Sequence, residues 1–471
     1  MGFQKKVHCN ELPLQPRLPN RIFWIFFVLA CAFAMARYVP PFQSPDENVH
    51  LLRAAMIARG QWLLQRVDTP ARDSGMVDQN FALFSDALAN MPTQTTAKVE
   101  PPAQTRVNVA GHHGWANHEV MVKAAGTGYY APLIYLPHSA GLWLGEHGQL
   151  NMLHSYELAR VIVIVTALLI AFYAWHLVQP NVLMLMLVLT PMALFQWVSP
   201  TIDGLCNALL LLFIALWAKI FKDIKQPPQV AHELLLYCCT FFLCTAKTNL
   251  LPILIVPVFL LIRKFSWRRL LAQGILLSSV LGWVAFAVSS SSDIRLTRKH
   301  TNVEILRAYL ADPLEFFEVI GRSIEAGLDF YVHSFLGKLG WLNAPISNSS
   351  VRNLAAFLLV GLIFILIAHR TLRFSATHAI ALFVAITSFF LTFAALAITY
   401  NDFPTPVIIG VQGRYFIAPL MILAFALGPI NTDYKPYRWH EVLLLTLYIP
   451  YSIYVTTRTV ARNYSMDAFA F

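Results

Sequence analysis

Several short stretches, far apart in the chain, hold residue types that can do chemistry. Ser44-Pro45-Asp46-Glu47-Asn48-Val49-His50 brings two carboxyls and an imidazole together. A carboxylate there is suited to take a proton from an attacking hydroxyl. The run also fits a plain helix start, with Ser44 as N-cap, Pro45 at the first position and Glu47 completing a capping box. That alternative has no particular need of Asp46 or His50. Ser199-Pro200-Thr201-Ile202-Asp203-Gly204 reads as a second helix start with Asp203 added, and acids near a helix N-terminus suit the macrodipole in any case. Lys247 interrupts an apolar stretch, where snorkelling to a membrane interface is the plain explanation. Gly410-Val411-Gln412-Gly413-Arg414-Tyr415 sets a guanidinium among glycines that allow close backbone approach. Guanidinium binds phosphate through two parallel hydrogen bonds; pairing with Asp402 or another acid of the chain is the alternative. Lys338 and Trp341 lie in Gly337-Lys338-Leu339-Gly340-Trp341-Leu342, which suits a headgroup or ring site, or an interfacial anchor. His112, His113 and His118 have no fixed helical spacing, so no metal site is assigned and a metal ion is left open.

The elements that carry these groups are membrane-spanning helices. Of 471 residues, 57% are hydrophobic and 13% charged, against about 25% charged in a soluble domain. The net charge of +10 suits cytoplasmic loops rather than nucleic-acid binding. Cys9 lies in the N-terminal tail and Cys31, Cys206, Cys238, Cys239 and Cys244 in apolar runs, which suggests no disulfide framework. Apolar stretches near 21–38, 156–177, 182–198, 204–221, 232–246, 249–263, 271–290, 354–370, 376–399, 414–430 and 439–457 predict about eleven transmembrane helices in a single transmembrane domain, 1–471. The first follows Lys5, Lys6, Arg17 and Arg21, and no small-x-small cleavage site precedes Tyr38-Val39-Pro40-Pro41. It therefore reads as a helix with its N-terminus inside, not as a signal peptide. One helix over 232–263 would hold Lys247 at mid-bilayer, where a charge costs at least about 2.5 kcal/mol. A hairpin of two short spans is expected instead.

This threading places Lys219, Lys222, Lys225, Arg263, Lys264, Arg268, Arg269, Arg370, Arg373, Lys435 and Arg438 inside, and only Lys247 and Arg414 in short outer turns. Two large loops, 39–155 and 291–353, then lie outside. In the first, 66–126 is polar and partly irregular, and 129–145 is a re-entrant or surface-lying segment. In the second, Asp312-Pro313 opens an amphipathic helix with Leu314, Phe317, Ile320, Ile324, Leu328 and Tyr331 on its apolar face. Asp46, Asp203, Lys247, Lys338 and Arg414 all come to the outer membrane boundary, and polar groups beside lipid usually serve function.

The chain resembles the GT-C superfamily of multispan glycosyltransferases that use polyprenyl-phosphate sugars. It is similar, more closely, to a largely uncharacterised bacterial membrane-protein group placed with them. The resemblance rests on P-D-E-N-V-H at 45–50, R-A-A-M-I-A-R-G at 53–60, Y-Y-A-P-L-I-Y-L-P at 129–137, P-M-A-L-F-Q-W-V-S-P-T-I-D-G at 191–204, K-T-N at 247–249, G-K-L-G-W-L at 337–342 and G-V-Q-G-R-Y at 410–415. It implies an all-α integral membrane bundle with a catalytic acid soon after the first span. Asp46 matches that position, Glu47 is its neighbour and Asp203 would be a second site acid. Lys247 and Arg414, with Gln412, Tyr415 and Lys338, are the donor-phosphate candidates from chemistry and position. His50, Arg53 and Trp341 are supporting candidates. The implied activity is inverting transfer of a sugar from a polyprenyl-phosphate carrier to a cell-surface glycan or lipid, outside the bacterial inner membrane and without a cofactor. Its partners are the lipid-linked donor, the acceptor and membrane lipid, with no nucleic acid. A lipid-linked sugar flippase, or a glycan polymerase or ligase, is the alternative.

Overall fold

The structure is a computed structural model that describes residues 19–67, 71–89, 103–222, 228–291, 298–369, 375–428 and 437–464. Cys9, Lys5, Lys6, Arg17, Lys225, Arg370, Arg373 and Lys435 lie outside the described residues. A helical segment lies over each of the eleven apolar stretches. They are α1 (Pro19–Tyr38); then, beyond α2 (Glu47–Ala58), α3 (Gln79–Ala89), α4 (Ala103–Gly111) and α5 (Leu136–His147) of the first loop, α6 (Met152–Leu177), α7 (Val182–Val188), α8 (Pro191–Trp197), α9 (Ile202–Lys222), α10 (Val230–Ala246), α11 (Ile255–Arg263) and α12 (Trp267–Ser290). After α13 (Asn302–Ala311) and α14 (Pro313–Leu336) of the second loop come α15 (Asn348–His369), α16 (Ala376–Thr399), α17 (Ile417–Leu427) and α18 (Trp439–Tyr464). By length and composition α6, α9, α12, α15 and α16 can cross a membrane, and three shorter apolar helices accompany them. Leu169 of α6, Ile275 of α12, Leu359 of α15 and Phe383 of α16 point outward. Such a surface suits lipid and not water. The chain is a helical membrane protein. α9 differs, being buried along nearly its whole length at the centre of the core.

The stretch 182–198 is two short helices rather than one. Pro191 has no N–H and its ring would strike the preceding turn, so Thr190 caps a new helix, its hydroxyl accepting from Ala193 N at 3.3 Å. The carbonyls freed by the break need partners, because no water reaches them in a bilayer. Tyr448 Oη donates to Met186 O at 2.9 Å, Ser452 Oγ to Leu189 O at 2.5 Å and Trp197 Nε1 to Val188 O at 3.0 Å. Likewise 249–263 opens as a 3-10 segment, Thr248–Leu254, containing Pro252, before α11 begins.

The first loop departs from an all-α reading and from the expected irregular 66–126. It holds an antiparallel sheet of β1 (Gln65–Arg66), β2 (Arg72–Asp78) and β3 (Glu119–Lys123), with Asp78 opposite Glu119 and Ser74 opposite Lys123. In β3, Val120 and Val122 turn inward between exposed Glu119, Met121 and Lys123, the period-two pattern of a half-buried strand. Asp78 stitches the sheet to its surroundings, its carboxylate accepting from Asn80 N at 2.9 Å, Ala116 N at 3.2 Å and Asn117 N at 3.0 Å. The segment 129–145 becomes 3-10 turns and α5, which packs on α6. Gly141 and Gly145, one turn apart, meet Ala159 and Ser155, and a Cβ on Gly145 would come within 2.7 Å of Ser155 Cβ. Small residues permit such close helix contact in membranes. Leu136, Trp143 and Leu144 stay exposed on the other side of α5.

In the second loop α14 begins as expected, with Asp312 accepting from Glu315 N at 3.1 Å and Pro313 at the first position. Its apolar face is divided. Ile320, Ile324 and Tyr331 pack toward Phe389, Phe393 and Phe416, while Leu314, Phe317 and Leu328 remain exposed. A two-stranded ribbon of β4 (Lys338–Leu339) and β5 (Ala344–Pro345) follows, and α15 starts at Asn348, six residues ahead of the expected 354.

Candidate functional site

The segment 42–50 is built to hold one side chain out. α2 starts at Glu47, and its N-cap, Asp46, adopts a left-handed φ of 62° with no side-chain cap. Such a conformation in a non-glycine residue costs on the order of 1–3 kcal/mol and persists only where the surroundings impose it. They do so here through Glu47, whose carboxylate accepts from Phe42 N and Ser44 N, each at 2.9 Å, and from Tyr156 Oη at 2.5 Å. Glu47 thus ties down the chain ahead of α2, but the expected capping box is not formed: the N-cap is Asp46, not Ser44, whose hydroxyl has no hydrogen-bond partner. Burial pushes its carboxyl above the usual carboxylate range, while Arg160 and these donors pull the other way. Trp341 Nε1 donates to Phe42 O at 2.9 Å. Arg160 of α6 donates to Val198 O, Ala36 O and Val39 O at 2.9–3.0 Å, tying the end of α1 to the segment before α9.

Held this way, Asp46 turns its carboxylate to Arg414 Nη2, 3.1 Å away. Arg414 is almost fully buried. It sits in a 3-10 turn, Gly413–Phe416, that presses against α14: a side chain at Gly413 would strike Tyr331 O and Phe335 N, and Gly413 N donates to Ser334 Oγ at 2.8 Å. Arg414 Nε stands 3.9 Å from Asp203 Oδ2. Asp203 lies in the first turn of α9, where Gly204 lets the helix approach α8; a Cβ there would fall 2.7 Å from Gln196 O. Gln196 Nε2 donates to Asp203 Oδ2 at 3.0 Å, and Lys247 Nζ pairs with Asp203 Oδ1. Lys247 is the extended residue that ends α10, and its Nζ is 5.9 Å from the Tyr415 ring. Tyr415 also lies beside Arg414, its ring centre 5.2 Å from Cζ.

Four separated motifs therefore meet in one cluster: Asp46, Asp203, Lys247 and Arg414, with Tyr415 alongside. Lys247 is ion-paired and does not snorkel. Arg414 does not pair with Asp402, which instead accepts from Lys299 N at 2.8 Å and His300 N at 3.2 Å. Two carboxylates balance two cations. Even so, Arg414 Nε and Nη1, both buried, have no hydrogen-bond partner, and neither has Gln412 Oε1 next to them in sequence. Buried donors are normally satisfied, so the guanidinium holds unused capacity for an anion.

His50 belongs to this cluster. Its Nδ1 is 2.8 Å from Tyr135 Oη and its ring centre 5.5 Å from that of Tyr130. Burial lowers its pKa to about 4, partly opposed by Asp46 and Asp203. Three other candidates serve elsewhere. Arg53 donates to Gln61 O at 3.0 Å and Trp62 O at 2.5 Å and so ties down the chain after α2. Lys338 lies over the Phe330 ring at 4.7 Å. Trp341 anchors the Asp46 segment from behind. Sequence reasoning left Tyr130, Tyr135 and Gln196 unassigned, although each sits in a quoted motif. Among the described residues, His112, His113 and His118 do not join a metal-binding group of three or more side chains.

The comparison with curated proteins and that with solved structures each found no match. A family model described as "Predicted membrane protein (DUF2142)" matches residues 26–424, a range that holds every group of this cluster, and the chain belongs to that family of membrane proteins.

Proposed function

We propose that the protein is an inverting glycosyltransferase of the GT-C kind, moving a sugar from a polyprenyl-phosphate carrier to a cell-surface glycan or lipid. The observation that carries this reading is the buried Arg414 with two unused N–H groups, set among Asp46, Asp203 and Lys247. A phosphodiester is the natural occupant of that fork, and Lys247 adds a second positive charge. Tyr415 and Tyr130 line the same place. As the phosphate takes Arg414, Asp46 is released from its ion pair and becomes a better proton acceptor. The acceptor hydroxyl lies against Asp46 and attacks the anomeric carbon from the face opposite the phosphate, which inverts that centre. The phosphate leaves as a stabilised anion and needs no proton. Glu47 and Trp341 position Asp46, and Asp203 orients Lys247 and Arg414. The site faces outward in a bundle of about eleven spans in a bacterial inner membrane, with the basic loops inside.

The test is glycan analysis of a strain lacking the gene, complemented with wild type or Asp46→Asn. The reading expects one sugar to vanish in the deletion and return with wild type only. Restoration by Asp46→Asn at normal protein level would remove Asp46 from the chemistry. One observation favours a flippase: the segments broken at 189–190 and 248–254 resemble the discontinuous helices of transporters. A flippase defect would leave donor on the inner leaflet, whereas loss of whole glycan chains would indicate a polymerase or ligase.

A further inference from the structure

We infer that His50 is a second proton station of this site, taking from Asp46 the proton that Asp46 removes from the acceptor hydroxyl. The inference rests on the transfer reading above and deepens it. His50 lies one turn beyond the N-cap Asp46, its N–H bonded to Asp46 O at 3.1 Å, and the Asp46 carboxylate is the strongest of the charges that act on its ring. The imidazole is buried between Tyr130 and Tyr135, with Tyr135 Oη 2.8 Å from Nδ1. With Tyr135 accepting from Nδ1–H, Nε2 carries the lone pair that can receive a proton.

Charge supplies the reason. Asp46 and Asp203 balance Lys247 and Arg414. The donor is a diester with a single negative charge; the product is a monoester that can hold a second. The hydroxyl oxygen forms its bond to the anomeric carbon, the carbon–oxygen bond to phosphate breaks, and its electron pair leaves on the phosphate. The hydroxyl proton passes to Asp46 and then to Nε2 of His50. Asp46 is again a carboxylate, ready to re-pair with Arg414, and the imidazolium offsets the new charge on the phosphate. The groups facing His50 are Asp46 at the N-cap of its own helix, Tyr130, Tyr135 and His138 from the segment before α6, Asp203 of α9, Lys247 after α10 and Arg414 before α17. Burial, Lys247 and Arg414 favour the neutral ring, against Asp46 and Asp203. A phosphate dianion tips that balance the other way.

The experiment is calorimetric titration of the purified full chain in detergent with undecaprenyl phosphate, at about pH 6.5, in buffers of different ionisation enthalpy. The buffer dependence gives the protons exchanged on binding. Wild type is expected to take up about one proton more than His50→Gln, with Tyr135→Phe between them, while all three bind the lipid. Equal proton exchange in wild type, His50→Gln and Tyr135→Phe, with binding intact, overturns the inference and leaves the transfer reading standing. Absence of binding by folded wild type overturns the transfer reading, and the inference with it.

Discussion

Asp46 and Arg414, 368 positions apart in the chain, form an ion pair at 3.1 Å that joins the start of α2 to the turn before α17. The pair is incomplete from the arginine's side, since Nε and Nη1 remain without hydrogen bonds. It is maintained from the aspartate's side by a left-handed backbone that Glu47, Tyr156 and Trp341 enforce. A contact that needs a strained residue and leaves buried donors over is poorly explained as a structural clasp. The proposed phosphate binding would use those donors.

Arg414→Lys should keep the charge and lose the fork. Transfer per folded protein is expected to fall by roughly 100-fold, the usual order for removing a group that stabilises developing charge. Retention of undecaprenyl phosphate affinity within a few-fold of wild type would argue against phosphate binding at this residue.

Asp203 and Lys247 form a largely buried pair. Removing one partner strands the other, at a cost of about 3 kcal/mol or more. Asp203→Asn and Lys247→Gln should each lower the melting temperature in detergent, and the double variant should recover much of the loss without recovering transfer. Additive losses in the double variant would show that the two do not depend on each other.

Gly413→Ala adds one carbon where Tyr331 O and Phe335 N leave no room. The turn must shift, and Arg414 with it. A displacement of about 1 Å can cost on the order of 100-fold in rate. Activity should therefore fall far more than protein level does; near-normal transfer would mean that Arg414 need not be held to this accuracy.

Two buried histidines set a pH dependence of stability. Burial lowers His50 to about 4 and His138 to about 3, from an ordinary value of 6.5. Between those values the unfolded chain binds more protons than the native one, so stability falls as pH drops through about 6.5 toward 4. The melting temperature should decrease from about pH 7 to pH 5, and His138→Phe should shallow that decrease. An unchanged slope in the variant would show that His138 is not held neutral.

The helical framework was legible because its signal is long: apolar runs of the right length, broken at Pro191 and at Lys247. Fine structure was harder to read. Nothing in 182–198 announced two helices except Thr190-Pro191, and the five-residue alternation of β3 is short beside the polar residues around it. At the site, the motifs gave the members but not the pairing. Glu47 does reach back to Ser44 N, but capping rules misplaced the helix start: the N-cap is Asp46, not Ser44, and its carboxylate is claimed by a residue far down the chain. Arg53 and Lys338 have the right chemistry, yet their heads are taken by Gln61 O and Trp62 O and by the Phe330 ring. Tyr135 was invisible as a partner of His50 because the contact spans 85 positions and depends on how α5 folds back on α6.

The most direct test of the central claim is the lipid-linked sugar pool. Membrane lipids from the deletion strain, the strain carrying wild type and the strain carrying Arg414→Lys would be compared by mass spectrometry. The account predicts that a polyprenyl monophosphate bearing a single sugar accumulates in the deletion and with Arg414→Lys, and is cleared by wild type. An unchanged pool of that lipid in all three strains, with the cell-surface glycan intact, would contradict it.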